Sequence, residues 1–83
     1  MSPRAINVEY DSPFKLIITF SNGSLKEFNL LPYLDYPVYQ PLKNEDLCRN
    51  PTIKYGTVIW NEDIDIDPDR LYFESKELSK ENA

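Results

Sequence analysis

The chain has 83 residues, a formal net charge of −5, one cysteine and no histidine, with 41% hydrophobic and 13% aromatic residues. That length holds one small domain burying roughly 60–65% of its unfolded surface, and the apolar content suffices for a core. An intramolecular disulfide is excluded, and a nucleic-acid phosphate backbone is disfavoured as main partner, since the nine basic residues are scattered with no two adjacent.

Arg4 to Tyr10 reads as a first strand, with Ile6, Val8 and Tyr10 on one face and Ala5, Asn7 and Glu9 on the other. A three-residue turn at Asp11-Ser12-Pro13 would set Tyr10 opposite Phe14, Val8 opposite Leu16 and Ile6 opposite Ile18.

Phe14 to Leu30 carries the clearest pattern. Phe14, Leu16, Ile18 and Phe20 alternate with Lys15, Ile17 and Thr19, and Asn22-Gly23 behind them is a strong hairpin signal. A two-residue loop at Asn22-Gly23 would pair Ile18 with Glu27, placing a carboxylate against the apolar face. A three-residue loop with Gly23 left-handed pairs Leu16 with Phe28 and Phe14 with Leu30, so it is the predicted one. Its cost is Lys26 opposite Ile18, expected near the rim with its ammonium in water.

From Leu31 to Pro51 the prolines at 32, 37, 41 and 51 forbid a central strand or long helix. Pro32 can open a short helical turn through Leu34, and Asn44 can cap another over Glu45 to Cys48. Tyr33, Tyr36 and Tyr39 recur among the prolines. They lie across the sheet as a lid with Leu34, Val38, Leu42 and Leu47, or form a tyrosine-rich contact surface.

Ile53 to Trp60 reads as a strand inside the sheet, with Gly56 marking a bulge, kink or tight turn. Val58 and Trp60 share one face, and Ile53, Tyr55 and Ile59 the other. A final helix is predicted from Asp67 to about Leu78, with Asp67 as cap and Pro68 at its first position. The domain spans residues 1–78, and 79–83 are expected to be a disordered tail.

One constellation could carry chemistry. Asp63, Asp65, Asp67, Asp69 and Glu74 stand at positions 1, 3, 5, 7 and 12 of an EF-hand-like count. Against calcium, Pro68 occupies the place where that loop needs glycine, and Ile64 and Ile66 call for burial. A capped turn with solvated carboxylates is the better reading. Without histidine, the usual general base and zinc arrangements are missing. Cys48 has no evident base, and two glycines do not make a phosphate-cradling loop. Neither a secretory leader nor a bilayer-length apolar run is present, so a cytoplasmic location is expected, with no membrane contact.

Several short motifs together resemble one family. They are Phe20-Ser21-Asn22-Gly23, Phe28-Asn29-Leu30, Leu42, Gly56-Thr57-Val58-Ile59-Trp60 and Asp65-Ile66-Asp67-Pro68-Asp69-Arg70-Leu71-Tyr72. Between Ile6 and Tyr72 the chain is similar to the small bacterial family called domain of unknown function 2442. Asn29 stands where that pattern commonly has aspartate, and Asn61-Glu62-Asp63 replaces its glycine-bearing turn. The resemblance implies a compact α+β domain with no established activity. It also implies toxin–antitoxin-like pairing, since many members are encoded beside another small protein, and some carry a helix-turn-helix for which this chain leaves no room.

The expectation is therefore an α+β domain: an antiparallel β-meander, a proline-rich lid of short helical turns and a short C-terminal helix. Its expected role is that of a non-enzymatic protein-interaction module, antitoxin-like, without cofactor, catalytic residues or metal. The partner surface would draw on Tyr33, Tyr36, Tyr39, Trp60, Asp63, Asp65 and Asp69. The alternatives are a nucleic-acid-associated regulator or a calcium-binding acidic loop. An open edge on the first strand would also allow a homodimer.

Overall fold

Alternating β-branched and aromatic residues form two antiparallel sheets, in a computed structural model that describes residues 2–80. The larger sheet runs in the order β1 (Ala5–Asp11), β2 (Lys15–Phe20), β3 (Ser24–Asn29) and β7 (Lys76–Lys80). The smaller runs β4 (Thr52–Lys54), β5 (Thr57–Asn61) and β6 (Ile64–Asp65). Two 3-10 helices, Leu31–Tyr33 and Pro37–Lys43, and two short helices, α1 (Glu45–Cys48) and α2 (Pro68–Phe73), complete an α+β fold dominated by strands.

The central hairpin has the register that burial demands. Leu16 pairs with Phe28 and Ile18 with Lys26, and the Phe14 carbonyl accepts the Leu30 N–H at 2.8 Å. Gly23 sits at φ 88°, where a Cβ would be strained. Leu16, Ile18, Phe20, Phe28 and Leu30 thereby share one flank, and they meet Val58, Ile66 and Leu71 in a single core. Each such burial stabilises the fold by roughly 1.5–3 kcal/mol.

The first hairpin differs from expectation by two residues. Val8 pairs with Ile18 and Tyr10 with Leu16, and the loop is Ser12-Pro13-Phe14. The faces are unchanged because the shift is even. The longer ladder adds the oppositely charged pair Asp11 and Lys15, while the Phe14 N–H, turned out of the strand at φ 60°, is satisfied by the Tyr10 hydroxyl at 2.8 Å. At the other end of β1, a bulge between Ala5 and Asn7 reverses the predicted faces: Ala5 is buried and Ile6 is 59% exposed.

Ile53 to Trp60 is two strands, β4 and β5, not one. Tyr55 and Gly56 both have positive φ, 56° and 76°, and make a two-residue hairpin loop. β5 is central, as its two apolar faces require, but in a separate sheet rather than in the first one. Ala5 joins the two, giving its N–H to the Gly56 carbonyl at 2.9 Å.

The C-terminal helix is shorter than predicted and a strand follows it. α2 starts as expected, with the Asp67 carboxylate accepting the Arg70 N–H, but ends at Phe73 because Leu71 is its only buried residue. β7 then adds to β3 as its antiparallel neighbour, with Lys26 and Glu77, and Glu27 and Lys76, as ladder partners. The backbone of Ser79 and Lys80 pairs with Leu25 and Ser24, so these two residues do not belong to a disordered tail; residues 81–83 lie outside those described. β7 and α2 also cover Lys26, which is 7% exposed and not at a wet rim. Its ammonium donates to the Tyr72 carbonyl at 2.7 Å and lies 3.9 Å from the centre of the Tyr72 ring.

Candidate interaction site

The tyrosines of the proline-rich segment divide between the two roles weighed for them. Within the proline-rich segment Leu34, Tyr39 and Leu42 are turned inward. Tyr39 donates its hydroxyl to the Asp65 carbonyl at 2.9 Å, and burial, then the Asp65 charge, raise its pKa. Trp60 is likewise internal, its indole N–H given to the Cys48 carbonyl at 2.9 Å. These two belong to the core, with less than about a tenth of their surface left to solvent. Val38, placed in the lid from sequence, is exposed.

Tyr33 is half-buried and forms the hub of a surface cluster. It stacks on Phe28 at 5.1 Å, meets Tyr36 edge-on at 6.0 Å, donates to the Glu74 carboxylate and lies under the Arg70 guanidinium at 5.7 Å. Tyr36 is 50% exposed beside it. Arg70 and Glu74 are one turn apart on and just beyond α2, so this helix and the first 3-10 helix build one surface. Phe73, on the same short helix, is 69% exposed. It was not expected from sequence, although the helical phase that buries Leu71 turns a residue two positions later away from the core.

The acidic run is spread along the chain and does not converge. Asp63 lies in the turn after β5, Asp65 on β6, Asp67 caps α2, and Asp69 accepts the Ser2 hydroxyl at 2.7 Å. Ile64 and Ile66 between them are buried, which fixes the carboxylates outward. Among the described residues, no three acidic, histidine or cysteine side chains come together in a way that could hold a metal ion.

Cys48 is fully buried on α1. Burial pushes its thiol up to about 11, with the Glu45 charge adding to this and the Tyr10 hydrogen bond opposing it. Tyr10 donates to Glu45 at 2.6 Å, and burial followed by that bond raises it to about 12. Both groups stay protonated at neutral pH, so this cluster ties β1 to α1 and supplies no thiolate.

Tyr55 is the other residue that pattern reading passed over. It is 80% exposed at the tip of the β4–β5 hairpin and lines two open clefts of about 300 Å³ each. Reading Lys54-Tyr55-Gly56-Thr57 as a turn, one of the options Gly56 left open, would have placed it outside the sheet. The edge of β1 is open only in part, since Ala5 is already bonded to Gly56.

No curated protein and no solved structure matches the chain. A family model described as Protein of unknown function (DUF2442) matches residues 5–77, from the first residue of β1 into β7, and the chain belongs to that family.

Proposed function

We propose that this chain is a non-enzymatic protein-interaction module, the antitoxin-like partner of a small protein encoded beside it in a bacterial cytoplasm. The observation that carries this reading is the exposure of Tyr36, Tyr55 and Phe73 on a chain of net charge −5. Aromatic side chains left in water are favoured contact residues, because they give much area at little entropic cost. The polar groups of Tyr39, Trp60 and Thr57 are spent on internal carbonyls, and the buried, protonated Cys48 does not suit nucleophilic chemistry. No helix among the described residues is long and apolar enough to cross a membrane.

The test is co-expression with the product of the adjacent gene, followed by size-exclusion chromatography of the purified pair. A stoichiometric complex is expected, weakened about tenfold or more when Tyr36 and Phe73 are both replaced by serine. Absence of a complex, with salt-dependent binding to mixed-sequence DNA in its place, would favour a nucleic-acid regulator instead. A thermal shift with calcium that magnesium does not reproduce would favour the acidic loop.

A further inference from the structure

The β4–β5 loop holds a residue that folding does not ask for. A two-residue hairpin loop with both φ values positive is best served by Asn-Gly, yet here the first position is Tyr55 at φ 56°. A bulky side chain there costs about 1 kcal/mol or more. Tyr55 does not recover this by burial, since it is 80% exposed. Its described contact is with the Lys54 ammonium, 5.3 Å from the ring centre, so the ring already faces a cation.

The ring stands between two clefts. One is walled by Arg4, Asp67 and Asp69, with Arg4 held over Gly56 so closely that a Cβ there would come within 3.0 Å of its guanidinium carbon. The other is walled by Lys54, Glu62 and Asp65. Each cleft thus sets two carboxylates against one cation, on either side of an exposed aromatic.

We infer that Tyr55 and its two flanking clefts dock an extended basic segment of a protein partner, with arginine or lysine side chains on either side of the ring. This rests on the interaction reading above and names the chemistry of the partner. In an extended chain, side chains two residues apart point the same way at a spacing of about 7 Å, which straddles one aromatic ring. Their charges meet Asp67 and Asp69 on one side and Glu62 and Asp65 on the other, and the ring packs against the intervening aliphatic stem or guanidinium plane. A nucleic acid would meet the wrong charge here.

The probe is a short alternating Arg-Gly peptide, titrated into the full chain in about 0.15 M salt and followed by amide chemical shifts. Saturable binding is expected, with shifts confined to Arg4, residues 54–56 and residues 62–69. Tyr55→Asn should weaken it about five- to tenfold while the melting temperature holds or rises, and Tyr55→Phe should retain it. Asp65→Asn with Asp67→Asn should weaken it as well, since asparagine still caps α2. Equal affinity in Tyr55→Asn, or shifts spread over every acidic residue, would overturn the site. A complex with the adjacent-gene product that survives Tyr55→Asn undiminished would remove this site and leave the interaction module standing.

Discussion

Two of the β-hairpins in this protein, β2–β3 and β4–β5, solve the same backbone problem with different residues. β2–β3 turns through Gly23, and β4–β5 turns through Tyr55 and Gly56, each needing positive φ. In the first, both strands bury one face in the core, and the glycine matches a register from which Leu16, Ile18 and Phe28 cannot depart. In the second, only β5 is deeply buried, β4 is an edge strand, and the turn tolerates an exposed aromatic. A hairpin whose strands are locked by burial takes the residue its turn prefers. One anchored from a single side leaves room for a residue that its turn does not prefer.

The comparison is broken most directly at the core of the β2–β3 hairpin. Phe28→Ala removes a fully buried ring stacked on Tyr33 and should cost about 3–5 kcal/mol, read from urea unfolding. The same substitution at the exposed Phe73 should change stability by less than about 0.5 kcal/mol.

Alkaline pH tests the contact between the first sheet and α1. The Cys48 thiol rises from 9.0 to about 11 and the Tyr10 phenol from 10.0 to about 12 on folding. Raised acids of this kind lend stability that is complete below pH 9, where both states hold the proton, and is lost as pH climbs through 11 to 12. Urea midpoints should therefore fall steeply over that window. Cys48→Ala should lower the midpoint at pH 7 and flatten the decline, and an unchanged slope would contradict the shift.

Gly23→Ala should cost about 1–2 kcal/mol through the left-handed turn, with the core contacts intact. The smallest effect has the opposite sign. Tyr55→Asn restores the preferred turn residue and should stabilise the fold by a few tenths to about 1 kcal/mol in thermal melts. If Tyr55→Asn destabilised the chain instead, the ring would be serving the fold and the contrast between the hairpins would disappear.

What could be read without coordinates follows the range of the forces involved. The β2–β3 register was legible because a one-residue slip would bury Glu27 against Ile18. The caps at Asn44 and Asp67 were legible because a side chain bonds a backbone N–H two or three residues away. The candidate site was harder. Tyr36 and the outward Asp63, Asp65 and Asp69 could be singled out as polar or aromatic residues near turns, but so could Tyr39 and Trp60, whose polar atoms reach carbonyls of distant segments.

By itself, then, the order of residues determined the strands of the central meander, the left-handed glycine and the starts of both helices, since each depends on neighbours within a few positions. Only the tertiary structure decided that β7 would shelter Lys26, that β4 to β6 would form a sheet of their own, and that Tyr55 would be left in water. Those outcomes turn on which backbone edges and buried charges find partners far along the chain, and no local pattern carries that information.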